Sequence, residues 1–142
     1  MTLNDILERK STGIITIKAS VSALEAIDAM CTHKVGALLV ESDDGELLGI
    51  ATERDILRLC SNRQGRLDGM GIDEAMTRNL IVGTTDCSID EAMSLMTEHR
   101  FRHLPIIEGG KTVGIISIGD LVKTKLKDVT VEVKHLRDYI NT

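Results

Sequence analysis

Two seven-residue stretches carry the residue types that could do chemistry. The first is Gly49-Ile50-Ala51-Thr52-Glu53-Arg54-Asp55, and the second is Gly114-Ile115-Ile116-Ser117-Ile118-Gly119-Asp120. Each reads glycine, two small or apolar residues, a hydroxyl residue, two variable residues and an aspartate. Each ends an apolar strand pattern and opens a helical one. A carboxylate on the first turn of a helix can accept from both hydroxyls of a vicinal diol such as a ribose, a charge-assisted arrangement. The hydroxyl three residues earlier can add a further bond. The same spacing also describes a capping box, in which the acid bonds the backbone N–H groups that open a helix. Residue types alone leave both roles open.

The elements that position these pairs come from a duplication. Ser22 to Glu25 matches Ser88 to Glu91, and Ala26/Ala92, Met30/Met96, His33/His99 and Leu38/Leu104 keep the offset of 66. Gly49/Gly114 and Asp55/Asp120 sit at 65, and the one-residue difference falls between Glu41–Glu46 and Glu108–Lys111. Turns tolerate such changes of length. Each copy opens on a short β-branched run, Ile14-Ile15-Thr16-Ile17 or Leu80-Ile81-Val82. Ser22…Glu25 and Ser88…Glu91 then mark helix starts. Ala23, Ala26, Ile27 and Met30 follow helical spacing, as do Ile89, Ala92, Met93 and Met96. Buried-type strands follow (Ala37 to Val40; Leu104 to Ile107), then a Gly-containing turn and a second strand. Helices from Glu53 to about Cys60 and from Gly119 to about Leu126 close the copies.

This predicts an α+β fold of two strand-helix-strand-strand-helix repeats with right-handed crossovers. Residues 1–60 are expected to form the first repeat with a short N-terminal helix at Asp5-Ile6-Leu7. Residues 61–72 read as a Gly-rich linker, and 73–127 as the second repeat, opened by a short helix at Asp73–Met76. Residues 128–142 read as a tail helix, with Val129, Val133, Leu136 and Ile140 at helical spacing, capping the core or a subunit interface. Pro105 cannot donate to a ladder, which predicts a place at a sheet edge or a strand start.

Composition narrows the function classes. At 142 residues the chain is one domain or two small halves sharing a core. A half of roughly 60 residues would be marginal alone. Phe101 and Tyr139 are the only aromatics, which removes the stacking platforms that single-stranded nucleic acid needs. The net charge of −5 does not favour a nucleic-acid partner. No apolar run approaches the length of a membrane span. The N-terminus lacks the basic and apolar regions of a signal peptide. Cys31, Cys60 and Cys87 are odd in number and scattered, which points to reduced thiols and a cytoplasmic protein. Cys31 and His33 stand two apart near a helix end and do not share a face, so no metal site is expected. His33 and His99 fit helix C-termini, where the dipole favours them. There is no Gly-rich phosphate loop and no Gly-x-Ser-x-Gly elbow. The expectation is a non-enzyme with no catalytic residue or cofactor.

Two copies of Gly-h-h-Thr/Ser-x-x-Asp in register resemble cystathionine β-synthase-type (CBS) domain pairs. Met76-Thr77, His99-Arg100-Phe101-Arg102-His103-Leu104-Pro105 and Ser117 to Lys123 share in the likeness, which spans about Lys10 to Lys125. The resemblance implies a tandem pair packed through its sheets with pseudo-twofold symmetry, a homodimer, and two clefts for adenosine-containing ligands. AMP or NAD(H) is favoured, with ATP, ADP or S-adenosylmethionine as alternatives. It implies that Asp55 and Asp120 anchor riboses, assisted by Thr52 and Ser117. One site would combine Ile15, Val35, Gly36 and Ala37 with Ser117 and Asp120. The other would combine Thr77, Ile81, Phe101, Arg102 and His103 with Thr52 and Asp55. Ile50 and Ile115 flank the anchors, and Arg54, Arg102 and His103 could meet phosphates, Arg102 above all. Core packing is the competing role of Ile15, Val35, Ile81 and Phe101.

Gly36-Ala37 aligns with Arg102-His103, so the two sites should differ in affinity. The function expected is a regulatory sensor of adenine nucleotides acting on a protein partner that the sequence does not name. The alternative is an interaction protein that works through its dimer surface or C-terminal helix with empty clefts.

Overall fold

The computed structural model describes residues 1–10 and 15–141. Ile14, expected in the first strand, lies outside the described residues. The chain divides into two compact units. The first-repeat unit comprises Gly13–Ile81 with Gly109–Val113, and the second-repeat unit comprises Met1–Thr12, Val82–Glu108 and Gly114–Thr142.

The first-repeat unit holds β1 (Thr16–Lys18), α2 (Ala23–His33), β2 (Ala37–Glu41), β3 (Leu47–Thr52) and α3 (Glu53–Asn62), then a 3-10 turn at Ile72–Glu74. Its sheet runs β1-β2-β3, with β1 parallel to β2 across the α2 crossover and β3 antiparallel to β2. Ser22 opens α2 by accepting the Glu25 N–H at 3.1 Å. Ala26, Met30, Leu38, Val40, Ala51 and Ile56 form the core that Ile72 and Met76 complete.

The second-repeat unit holds α1 (Leu3–Arg9), β4 (Gly83–Thr84), α4 (Ile89–His99), β5 (His103–Glu108) and α5 (Ile118–Ile140). With β6 (Lys111–Ser117), its sheet runs β4-β5-β6, with β4 parallel to β5. Ser88 opens α4 as Ser22 opens α2, accepting the Glu91 N–H at 3.1 Å. Gly109 and Gly110 both take positive φ, 59° and 79°, in the two-residue turn between β5 and β6. A hairpin with both central residues left-handed suits glycine best. His33 and His99 are the last residues of α2 and α4, where each meets the negative end of a helix dipole.

The segments that precede the two repeats are exchanged. Thr2 bridges Ser88, and Leu3 N–H donates to Cys87 O at 2.9 Å. In the same way Gly71 bridges Ser22, and Ile72 N–H donates to Val21 O at 2.9 Å. Leu3, Ile6, Ile72 and Met76 are all buried. Thus α1 plugs the second-repeat unit and the 3-10 turn plugs the first, an exchange that sequence order does not announce.

Three local expectations change. The strand expected at Leu80–Val82 starts only at Gly83. Pro105, expected at an edge or a strand start, is the third residue of β5, the central strand. One fact explains both. In the first repeat Leu39, the counterpart of Pro105, donates its N–H to Ile15 O at 3.2 Å. A proline cannot make that bond, and β4 pairs with β5 only from Ile106 onward. Third, the closing helix does not stop near Leu126. It continues as one 23-residue α5, because Lys127-Asp128 contains no glycine or proline to break it.

Gly49 is where the plug of the first-repeat unit touches its sheet. A Cβ there would lie 2.7 Å from the Thr77 carbonyl oxygen and 2.9 Å from Met76 Sδ. Gly49→Ala should therefore cost about 1–3 kcal/mol of stability, as overpacking does. The urea midpoint reads this, and an unchanged midpoint would show that the contact yields freely.

Candidate functional site

Both hydroxyl–carboxylate pairs stand where a strand becomes a helix. Thr52 ends β3 and caps α3; Ser117 ends β6 and caps α5. Both boxes are complete. Asp55 Oδ2 accepts Thr52 N–H at 2.9 Å and Thr52 Oγ1–H at 3.0 Å, while Asp55 N–H donates to Thr52 Oγ1 at 3.2 Å. Asp120 Oδ2 accepts Ser117 N–H at 2.9 Å, and Asp120 N–H donates to Ser117 Oγ at 3.1 Å. The capping role that the sequence left open is therefore real at both aspartates. It uses one carboxylate oxygen and leaves the other for further work.

A partner from outside the box separates these pairs from a plain cap. Thr2 and Asp5 form a third box at the start of α1, with Thr2 N–H donating to Asp5 Oδ2 at 2.9 Å. The bonds of Asp5, from Thr2 N–H and Thr2 Oγ1–H, stay within the box. Asp55 is 7% exposed, and its Oδ1 accepts only a long bond, 3.4 Å, from Thr77 Oγ1. Thr77 is held there by two backbone bonds with Ile50, 3.0 and 2.8 Å. Asp120 instead meets a cation: Lys10 Nζ lies 2.9 Å from its Oδ2 and 2.8 Å from Ile115 O. Burial opposes ionisation of Asp120, but the Ser117 backbone N–H and the Lys10 ammonium outweigh it and hold the carboxyl below its usual value.

Around Asp120 lies a cavity of about 290 Å³, lined by Ile6, Arg9 and Lys10 from the N-terminal segment and by Asp120, Lys123, Thr124 and Lys127 from α5. Four cations face one carboxylate in a chain whose net charge is −5. Such a focused positive field favours an anionic group.

The remaining residues are placed as follows. Ile15 and Val35 pack against the first-repeat core, and Ala37 opens β2. Gly36 O accepts the Glu53 N–H at 3.0 Å, and its counterpart Arg102 O accepts the Ile118 N–H at 2.8 Å. This backbone bond is thus the same in the two repeats, whereas the side chains at the position differ. Arg54 and Arg102 are exposed, Ile81 and Phe101 are half-buried, and His103 opens β5. Phe101 tilts against His99, with ring centroids 6.3 Å apart. Thr52, Asp55 and Thr77 come together within the first-repeat unit, as do Ser117, Asp120 and Ile115 within the second. Ile15, Val35, Gly36 and Ala37 belong to the first-repeat unit, whereas Phe101, Arg102 and His103 belong to the second.

The family model of the CBS domain matches residues 2–62 and 72–127. The chain belongs to the CBS domain family. Its fold matches the CBS-domain protein ATU1752 of Agrobacterium tumefaciens with a TM-score of 0.83 at 38% identity, covering 88% of this chain and 99% of that one. The CBS domain pair of MJ0100, solved with 5′-methylthioadenosine and S-adenosyl-L-methionine, matches with a TM-score of 0.78 at 26% identity over 90% and 98% of the two chains. CBSX2, solved with AMP, matches with a TM-score of 0.73 at 27% identity over 89% and 96%.

Sequence reasoning on this CBS pair missed Lys10, Arg9, Lys123 and Lys127. The first two sit in a segment that sequence order assigns to the other repeat. The lysines of α5 were legible as a signal, since Lys123 and Lys127 stand one turn apart, three and seven residues after Asp120. Among the described residues no group of three or more His, Cys, Asp or Glu side chains could hold a metal. None of the described helices is long and apolar enough to cross a membrane. The three cysteines are free, and burial together with Glu91 and Asp86 raises the Cys87 thiol above its usual value, away from a reactive thiolate.

The depressed carboxyl of Asp120 gives a pH dependence. Its contribution to stability is present above the unfolded carboxylate pKa and is lost as pH falls through the lower folded value. Lys10→Met removes a cause of the depression. It should move the Asp120 titration, followed by carboxyl NMR, to higher pH and bring acid unfolding on earlier. An unmoved titration would show that the Ser117 N–H alone sets the value.

Proposed function

We propose that this CBS pair is a regulatory module that binds adenosine-bearing ligands, with Asp55 and Asp120 as the ribose anchors. One observation carries the reading: the same hydroxyl–carboxylate box stands at the same strand-to-helix junction in both units. In each, one carboxylate oxygen is spent on the cap, and the other has at most one weak protein partner among the described residues. A carboxylate so held is preorganised to accept from a diol. The ligands of MJ0100 and CBSX2 support the class, since AMP, 5′-methylthioadenosine and S-adenosyl-L-methionine share an adenosine moiety.

AMP or NAD(H) is the favoured ligand. The cationic cavity beside Asp120 supports a phosphate-bearing ligand there, with Lys10 moving from the carboxylate to a phosphate oxygen. At Asp55 the partner from outside the box is the neutral Thr77. The two anchors are therefore expected to differ, with Asp120 favouring the more highly charged ligand. Regulation follows by population shift, through different ligand affinity for two states of the protein.

A thermal-shift titration of nucleotide-free protein against AMP, ADP, ATP, NAD, NADH and S-adenosylmethionine tests this. Ligand at 100 times its Kd adds about 2.7 kcal/mol to the folded state. A saturable rise in Tm is expected with at least one ligand. Asp55→Asn and Asp120→Asn should each remove part of that rise. No shift with any of the six would refute the proposal.

A further inference from the structure

The cavity beside Asp120 is lined for charge and for little else. Its walls belong to one unit: Ile6 and Arg9 come from α1, Lys10 ends that helix, and Asp120, Lys123, Thr124 and Lys127 come from the first turns of α5. Ile6 is the one apolar residue among them, so the lining offers no apolar slot for a base. Positions 120, 123, 124 and 127 have the spacing that puts residues on one face of a helix. At a rise of 1.5 Å per residue, Lys123 stands about 4.5 Å and Lys127 about 10.5 Å beyond Asp120 along that face. The Thr124 hydroxyl is spent within the helix, donating to Asp120 O at 3.0 Å. What remains is a carboxylate at one end and a row of cations leading away from it.

Ion pairing sets these cations apart from their neighbours. Lys125 of α5 is paired with Asp90 at 3.0 Å, and Lys10 with Asp120 at 2.9 Å. Among the described residues Arg9, Lys123 and Lys127 make no ion pair. Four cations and one carboxylate leave a surplus of three positive charges. A phosphate monoester carries about −1.5 to −2 at pH 7, which leaves part of that surplus unmet. Each further phosphoryl group in a chain adds a negative charge and more acceptor oxygens. The cavity of about 290 Å³ is roughly ten times a water's share of the liquid, which is room for more than one such group.

We propose that this cavity is a phosphate-chain site for two or three linked phosphoryl groups, and that Arg9, Lys123 and Lys127 set how many the protein reads. The chain enters beside Asp120, where Lys10 passes from the carboxylate to the first phosphoryl group. Lys123 and Lys127 meet the following groups along α5, and Arg9 meets them from α1. The chain arrives either as the tail of a nucleotide or as free inorganic polyphosphate, and the charge requirement is the same for both. The nucleotide form rests on the reading of Asp120 as a ribose anchor; the inorganic form does not. AMP supplies one phosphoryl group, whereas ADP, ATP and NAD(H) supply two or more. The cavity therefore separates ligands that a ribose anchor alone would treat alike.

Calorimetric titration of the ligand-free full chain against AMP, ADP, ATP and sodium tripolyphosphate, in metal-free buffer, tests this. Affinity should rise at least tenfold from AMP to ATP. Lys123→Met/Lys127→Met, at exposed positions, should remove most of that rise with an unchanged thermal midpoint, and Lys123→Arg/Lys127→Arg should keep it. The two sources separate on Asp120→Asn. A nucleotide tail is the occupant if ATP binds at least tenfold tighter than tripolyphosphate and loses that margin in the variant. Free polyphosphate is the occupant if tripolyphosphate binds as tightly as ATP and does not weaken in the variant. Equal affinity for AMP, ADP and ATP without binding of tripolyphosphate would overturn the inference and leave the ribose anchor standing. A rise from AMP to ATP that survives the loss of both lysines would overturn it as well.

Discussion

The junction where a strand turns into a helix, closed by a hydroxyl residue and an aspartate three positions later, is the constraint on which each unit depends. The helix start presents backbone N–H groups with no intrahelical acceptor, and the Thr or Ser side chain satisfies one of them. The aspartate returns the favour to the last N–H of the strand. That reciprocal pair fixes the angle between β3 and α3 and between β6 and α5. The carbonyls of Gly36 and Arg102 then tie the first helical N–H to the neighbouring strand. Because the carboxylate spends one oxygen on this task, the other is delivered to a fixed place at no further conformational cost. Structure and proposed recognition thus share one side chain, and the ribose reading rests on that rigidity.

Duplication supplied two such junctions, and divergence made them unlike. Asp55 is buried with hydroxyl partners, whereas Asp120 is half-exposed with an ammonium and three further cations around it. A neutral partner yields to a ligand hydroxyl with little electrostatic change. A lysine paired at 2.9 Å yields only to a ligand that gives it another anion. The asymmetry therefore selects by charge. It is set not by the duplicated core but by the exchanged segments, which brought Lys10 to one anchor and Thr77 to the other.

Much of this was legible in the sequence. The offset of Ser22…Asp55 against Ser88…Asp120 gave the repeat, the order of its elements and the two junctions, because capping residues and apolar periodicity are local signals. Legibility failed where the deciding contact was distant. No local pattern says that Leu3 docks beside Cys87 or that Ile72 docks beside Val21, so Lys10 could not be placed beside Asp120. The shortening of β4 was concealed for a related reason: Leu80-Ile81-Val82 has the composition of a strand, but the bond it needs is the one that Pro105 cannot donate. The length of α5 was open to reading, since nothing in Lys127-Asp128 stops a helix. The candidate site was legible as a list of anchors and only partly as a place.

The central claim is that Asp55 and Asp120 hold a ribose through its two adjacent hydroxyls. Calorimetric titration of the ligand-free chain with AMP, its 2′-deoxy form and its 2′,3′-dideoxy form tests that claim most directly. Each hydrogen bond to a charged group contributes about 1.5–3 kcal/mol. The account predicts a loss of about tenfold or more in affinity with the first hydroxyl removed and near-abolition with both. Equal affinity for the three would contradict it and leave the two aspartates as helix caps alone.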